Sequence, residues 1–524
     1  MNGPDSSLRR RTVLGGLGAG VASLAGCASI AGDGSGSRLR VGTIQPPVTL
    51  DPIVATDVGS QQAIARVFDG LYTYGADTDV VPQLAAGAPT VEDDRTVTVE
   101  LDADATFQNG RPVRPADVRY SFVAPQREDA PTQWAVRPVD GVDVVDDRTV
   151  RFHLAHPYPE LDDALTRPIV PERVRETDRE RFARRPVGSG PYRVRSFSEE
   201  QSVELVRWDD YWGDPTPAID RVSFAYVESP ITQLTSLVSG RTDAIEPISP
   251  RFRDQIRHLT GASVAERDGF RSLYFGFNMN EGPTTDRAVR EGVARCFDLD
   301  RAVSEFVAPV GDRQYSLVPR RVADEWRFPV EAWKSVAPSA DVEAARRWFD
   351  RADAHVGRLT ILTSKDPVWK ELADALAAGL RDAGQSALVD AVGWGTYQDR
   401  HVTGAADDYA VFVGEVAGNG DPDSFLYPVF HENAQGATNG IFYNEESVMN
   451  RLLAARRTTD RARRRTLYVS AVTKLLEERV HLPISSFYNS FAHHPAVRGF
   501  RVHPIAGLNP RVTSPAGVMR VEGR

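Results

Sequence analysis

Residues 408–426 read Asp408-Tyr-Ala-Val-Phe-Val-Gly-Glu-Val-Ala-Gly-Asn-Gly-Asp-Pro-Asp-Ser-Phe-Leu426. The first six residues are short-range β-branched and aromatic, and predict a buried strand. Gly418, Gly420 and Pro422 then force a sharp turn. A strand that empties into a Gly/Asn/Asp loop leaves backbone N–H and C=O groups unpaired at its carboxyl end. In open α/β sheets, ligands bind there. Asp421 and Asp423 could in principle do acid–base work, but in a Gly/Pro turn they are expected to cap backbone N–H groups.

The surroundings of this stretch carry an α/β rhythm. Arg358-Leu-Thr-Ile-Leu362 predicts a strand, residues 368–383 a helix, Ser386-Ala-Leu-Val389 a strand, and a further helix opens at Trp394. Residues 447–457 and 461–479 predict two helices downstream. Towards the amino terminus, Leu39-Arg-Val-Gly-Thr-Ile44 predicts a first strand, followed by a helix over residues 60–71. Strand and turn signals then crowd residues 75–185. Arg271-Ser-Leu-Tyr-Phe-Gly-Phe-Asn278 predicts a strand into a new unit, with Asn278-Met-Asn280 as the crossing, and a helix follows over residues 286–306. Leu482-Pro-Ile-Ser-Ser-Phe-Tyr488 is expected to be the return crossing.

At 524 residues and 41% hydrophobic, the chain can bury a substantial core in several domains. A net charge of −10 argues against a nucleic-acid partner. Only Lys334, Lys365, Lys370 and Lys474 among the 62 basic residues are lysine, a skew that says nothing about fold. The sequence has no His-Glu-x-x-His, Cys-x-x-Cys, phosphate-loop or Ser-x-x-Lys pattern, so no enzymatic site is expected. His431 and the pair His493-His494 are weak metal candidates, because adjacent residues on a strand point to opposite faces. No metal and no cofactor is expected. Cys296 lies in a helical apolar pattern and reads as a buried core thiol.

The amino terminus is read as an address. Arg9-Arg-Arg-Thr-Val-Leu14 opens a basic and then apolar segment, of which residues 13–26 are too short and glycine-rich to span a bilayer. Twin arginine before apolar residues resembles the twin-arginine export signal, and Leu24-Ala-Gly-Cys27 resembles a lipobox, which makes Cys27 the lipidation site. Residues 1–26 are then the signal and 27–37 a flexible tether.

Several motifs, in order, carry a wider resemblance. They are Thr49-Leu-Asp-Pro52, Val67-Phe-Asp-Gly-Leu-Tyr72, Phe107-Gln-Asn-Gly-Arg-Pro112 with Ala116-Asp-Val-Arg-Tyr-Ser121, Pro186-Val-Gly-Ser-Gly-Pro-Tyr192, and the Asp421-Pro-Asp-Ser-Phe-Leu426 segment quoted first. Together they resemble the family-5 extracellular solute-binding proteins, the dipeptide/oligopeptide/nickel-binding group of ABC transporters. The resemblance implies an α/β, two-lobed, type II periplasmic-binding-protein fold with an extra β-rich subdomain. Lobe I would comprise residues 38–74, 186–268 and 486–524, its β-rich subdomain 75–185, and lobe II 269–485. It further implies a monomer that closes over a small peptide-like molecule and passes it to ABC permease subunits, held by its lipid at the outer face of the membrane.

Ligand contacts are expected from Thr43, Gln45, Asn280, Trp394, Gly414, Glu415, Val416, Asn419, Asp421 and Phe487. One departure stands out: the aspartate that anchors the α-amino group in dipeptide binders falls on Gly418, and a common tryptophan falls on Glu415. Glu415 is therefore the expected replacement partner for a ligand cation. A nickel, haem or other non-peptide ligand, or a sensor without transport, is the alternative.

Overall fold

The structure is a computed structural model that describes residues 36–522, apart from 228, 259–260, 354 and 515–516. The signal, Cys27 and almost all of the tether lie outside the described residues.

A mixed sheet of 11 strands runs through the body. From one edge its order is Ser386–Val392, Arg358–Ser364, Val411–Ala417, Ser263–Phe277, His481–His493, Ala244–Glu246, Arg38–Thr43, Arg221–Tyr226, Ser202–Arg207 and Tyr192–Ser198, with Gly311–Arg313 also pairing on His481–His493. The two long central strands, of 15 and 13 residues, belong to both halves. Their ladder shifts register between Asp268 and Arg271 and again between Leu273 and Tyr274.

Three large apolar cores, and a small fourth around Ile245 and Ile248, fill the body. The largest collects Phe275, Phe277, Leu359, Ile361, Val411, Phe412 and Val413 with the helices packed on them. Helix Pro367–Asp382 shows why such a helix forms. Asp366 accepts from the Val368 and Trp369 N–H groups at its start, and Trp369, Leu372, Ala373, Leu376, Ala377 and Leu380 recur at helical spacing on the buried face. Full burial of each large apolar side chain is worth about 1.5–3 kcal/mol. A second core gathers Leu39, Val41, Ile64, Val67, Phe224 and Phe491, and draws in Val497, Val502 and Val512 from the carboxyl end. The third stands on a separate four-stranded sheet, Thr90–Asp93, Thr96–Glu100, Thr149–Leu154 and Val139–Val144, on which helix Pro115–Arg127 lays Val118 and Phe122.

The sequence motifs map to close backbone approaches. A Cβ on Gly188 would collide with the Val67 carbonyl and one on Gly190 would sit 2.8 Å from the Val67 carbonyl carbon, so Val187-Gly-Ser-Gly-Pro191 is a packing turn against the end of helix Val58–Val67. That helix stops at Val67, short of the expected residue 71, because Phe68 turns extended and Gly70 packs its backbone on the Thr166 carbonyl. The single helix expected over residues 286–306 is two, Arg287–Val293 and Leu299–Phe306, the second restarted by an Asp298 cap.

The forward crossing is also displaced. Asn278 is fully buried, and its side chain donates to the Gly404 and Tyr409 carbonyls at 3.1 Å, inside the largest core. The strand instead passes from one core to the next between Ala265, which packs on the second core, and Phe270, which belongs to the first. A polar Asn-Met-Asn run looks like a break in sequence, but here it ends the strand.

Candidate functional site

Strand Val411–Ala417 decides where a ligand can sit. Along one edge it pairs antiparallel with Arg271–Phe277 over its whole length. Along the other, the parallel neighbour Arg358–Ser364 registers only with Val411 and Phe412. Gly418 N–H donates to the Phe270 carbonyl at 2.9 Å, which fixes the phase of the antiparallel ladder. By its alternation the backbone groups of Val413, Glu415 and Ala417 point to the open side. Tyr397 takes one of them, donating its hydroxyl to the Val413 carbonyl at 2.5 Å. Among the described residues, no protein partner is seen for the Glu415 and Ala417 N–H groups.

This open edge faces a cavity of about 760 Å³. Three walls line it: Gln45, Asp57, Gln61, Ile64 and Phe68 on one, Thr132, Trp134 and Arg167 on the second, and Tyr274, Trp369, Trp394, Tyr397, Gly414, Glu415 and Val416 on the third. The third wall is an aromatic stack. Trp394 lies on Tyr397 with ring centres 5.6 Å apart, and Tyr397 on His401 at 5.0 Å. Burial pushes the His401 imidazole down to about 4, so it is neutral at pH 7 and stacks as an apolar ring. The Trp394 indole N–H is buried without a hydrogen-bond partner.

Glu415 lines this cavity, but it is already partnered. Arg271 donates to both its oxygens, Nε to Oε1 at 2.9 Å and Nη2 to Oε2 at 2.8 Å, with both side chains under 10% exposed. Burial presses the Arg271 guanidinium toward deprotonation, but the Glu415 charge outweighs it and raises its pKa further. The expectation that Glu415 offers a free negative charge to a ligand is corrected: the pair is neutral overall. Gly418 explains the rest of the departure. A Cβ there would collide with Ser424 Oγ and stand 2.8 Å from Phe425 Cζ, so the start of helix Asp423–Phe430 occupies the space an aspartate would need.

The expected site residues divide. Gln45, Trp394, Gly414, Glu415 and Val416 meet at the cavity. Thr43 is buried behind it, its hydroxyl accepting from the Gln45 N–H at 3.1 Å. Phe487 lies under the Arg271 guanidinium, 5.4 Å from ring centre to Cζ, and so supports the ion pair rather than lining the cavity. Asn280 is set away from the cavity, donating to the Gly404 carbonyl at 3.2 Å.

Asn419 and Asp421 belong to a different, buried polar set. Asp421 accepts from the Asp423 N–H at 2.9 Å, as a capping acid does, and from Arg464 at 2.8 Å. Arg456 pairs with Asp423, donates to the Trp134 carbonyl and stacks on Tyr427. Asn419 reaches Glu160 at 3.5 Å and Arg464 lies 3.7 Å from it. Glu160 and Trp134 come from the region of the third core, so this set ties that region to the largest core. Burial first, and then Asp421, hold the Glu160 carboxyl well above its ordinary range.

No local pattern marks Arg167, Trp134 or Tyr397 as cavity residues, or Arg271 as the partner of Glu415, because each is brought there by pairings distant in the chain. The weak metal candidates have other roles. His431 accepts from the Asn433 N–H at 3.2 Å and stacks on Tyr427, and His493 stacks on Phe500 at 4.5 Å. Among the described residues no group of three or more His, Cys, Asp or Glu side chains is placed to hold a metal ion, and no helix is long and apolar enough to cross a membrane.

A sheet shared by two lobes, with an open strand edge on the cavity between their cores, defines a two-lobed α/β binding protein of type II. The fold is that of the Bacillus subtilis oligopeptide-binding protein AppA in complex with a nonapeptide: TM-score 0.84, 18% identity, 93% of this chain and 99% of that one. The profile of the bacterial extracellular solute-binding proteins, family 5 (middle region), matches residues 79–437, and the chain belongs to that family of binding proteins. It is 28% identical to protein XP55 of Streptomyces lividans over 80% of this chain and 78% of that one. It is 24% identical to the probable D,D-dipeptide-binding periplasmic protein DdpA of Escherichia coli K12, over 89% and 92%.

Proposed function

We propose that this protein is the substrate-binding component of an ABC importer and captures a peptide-like solute between its lobes. The open edge at Glu415 and Ala417 carries the reading. An extended ligand can add to it as one more strand, pairing its amides with the free N–H and C=O groups. Such pairing gives affinity without reading side chains, and the aromatic wall of Trp394 and Tyr397 supplies stacking and apolar contact for whatever side chains follow. The names of relatives point the same way, since one is a probable D,D-dipeptide-binding protein and a structural neighbour holds a nonapeptide. Closure would proceed by bending at the register shift in the crossing strands, near Asp268 to Arg271 and its partners Phe487 to Tyr488. The register shift supports divisions of the lobes at residues 268/269 and 485/486.

The same proposal places the mature protein outside the cell, exported by the twin-arginine route and held by a lipid on Cys27. The Leu24-Ala-Gly-Cys27 motif and the tether after it support this. One acyl chain gives only marginal binding to a bilayer, so a second chain or the permease would complete the anchorage. Cys27→Ala should leave the protein exported but unlipidated. Membrane fractionation checks it: a variant that pellets as fully as the wild type would show that the anchor lies elsewhere. For the ligand, calorimetry with trialanine should register binding, and loss of binding on N-methylating its backbone amides would support strand addition. Equal affinity for both would count against it.

A further inference from the structure

The carboxyl-terminal segment lines the cleft and also touches the crossing strands. Ile505, Gly507 and Leu508 face the cavity. Residues 503–509 close on themselves through Asn509, which is fully buried. Its side chain accepts from the His503 N–H at 2.7 Å and donates to the His503 carbonyl at 2.9 Å. Two arginines pin the chain just beyond this turn. Arg66 donates to the Leu508 and Pro510 carbonyls, and Arg511 to the Tyr74 and Gly75 carbonyls.

The start of the turn is tied to the crossing strands where their register shifts. Arg267 stands opposite Asn489, Asp268 opposite Tyr488 and Arg271 opposite Phe487, so Gly269 and Phe270 have no opposite residue in that ladder. Backbone groups left over in a buried ladder need partners from elsewhere. The Pro504 carbonyl accepts from the Phe270 N–H at 3.2 Å, and the Phe270 carbonyl accepts from the Gly418 N–H at 2.9 Å. Phe270 is thus the node between the turn and the end of the open strand. Asn489, also buried, fixes the turn from the second crossing strand. Its Nδ2 donates to the His503 carbonyl at 2.8 Å and to the Pro504 carbonyl at 2.7 Å. Its Oδ1 would stand 2.9 Å from a Cβ on Gly269, so a glycine there lets the side chain approach. Asn489 is not among the residues that line the cavity.

Resting on the capture of a solute in this cleft, we infer that residues 503–509 are a strap that couples the occupied cleft to the hinge, with Asn489 as its positioning residue. A solute seated on Ile505 to Leu508 restricts the strap, and the strap restricts Phe270 through one carbonyl. Bending between Asp268 and Arg271 must then carry Pro504 along, or leave the Phe270 N–H and the Asn489 amide unpaired in a dry site. Such coupling is reciprocal, so a strap released from the hinge holds the solute less tightly.

The test compares wild type with Asn489→Ala, each with and without trialanine, by calorimetry, small-angle scattering and hydrogen exchange read on peptides covering residues 265–273 and 503–512. In wild type, trialanine should slow exchange in both peptides at least about tenfold. Asn489→Ala should still bind trialanine, about three- to tenfold more weakly, with the slowing kept at 503–512 and lost at 265–273. Exchange at 265–273 that trialanine does not slow in wild type would overturn the strap. So would an Asn489→Ala variant that melts earlier in urea yet keeps wild-type affinity and the wild-type exchange pattern, since that is a merely structural role. If trialanine does not bind wild type, the peptide reading fails and the ligand-free comparison decides. Faster exchange at 265–273 and a larger radius of gyration in Asn489→Ala would keep the strap, and no change in either would overturn it. Should Asn489→Ala fail to fold, Asn489→Ser takes its place, and the wild-type exchange comparison stands by itself.

Discussion

Glu415 and Arg271 are joined by two parallel hydrogen bonds in a site almost closed to water. Removing one partner of such a pair strands the other charge in low dielectric, at a cost of about 3–5 kcal/mol. Glu415→Gln should therefore lower the unfolding midpoint in urea first, with any change in ligand affinity following from the disturbed strand. Replacing both at once, as Arg271→Met with Glu415→Leu, should recover most of the loss; a double variant as unstable as the single one would contradict the account. Asp69 makes a second residue-scale case. It is fully buried, accepts from Gln83 at 2.6 Å and Trp212 at 3.3 Å, and burial pushes it up to about 7. Its folded pKa lies above the unfolded value of about 4. The folded chain therefore binds more protons in between, and this contribution to stability is fully present below about pH 4 and lost as pH rises through about 7. Each pKa unit is worth about 1.4 kcal/mol. Asp69→Asn should flatten the fall in stability between pH 5 and pH 8, read as the difference from wild type in urea melts at both pH values. An unchanged slope would show that Asp69 does not carry it.

A strand before the Gly/Pro turn was legible from the sequence, because β-branched runs and Gly/Pro clusters are local signals, but it runs over Val411–Ala417 and not over residues 408–413. Its missing neighbour was not legible, since where a parallel strand stops is set by register and not by composition. The ion pair on it joins residues 144 apart in the chain, which no local pattern reveals. The misplaced crossing at Asn278 has the same origin: a strand that changes cores partway along looks continuous in sequence. The open edge makes its own prediction. Ala417 N–H has no protein partner among the described residues, so Ala417→Pro removes a donor aimed at the cavity without breaking the ladder. It should weaken trialanine binding about three- to tenfold while moving the urea midpoint little. A large midpoint shift with unchanged affinity would place the N–H in the fold and not at the ligand.

At the scale of the molecule, order of motifs proved more informative than any one of them. Six short stretches in sequence implied a two-lobed α/β binding protein, and the shared sheet, the three cores and the family match agree with that class. What the chain binds was less legible, because the cleft is assembled from three walls, distant in sequence, that meet only on folding. If the lobes close as proposed, saturating trialanine should reduce the radius of gyration in small-angle scattering. At 100 times its dissociation constant, it should also stabilise the fold by about 2.7 kcal/mol. Stabilisation without compaction would retain the site and remove the closure. The most direct measurement is tandem mass spectrometry of the small molecule carried by the mature protein isolated from its own membranes. The account predicts a compound that fragments at amide bonds. A sugar, a metal complex or any carried molecule without an amide bond would contradict it.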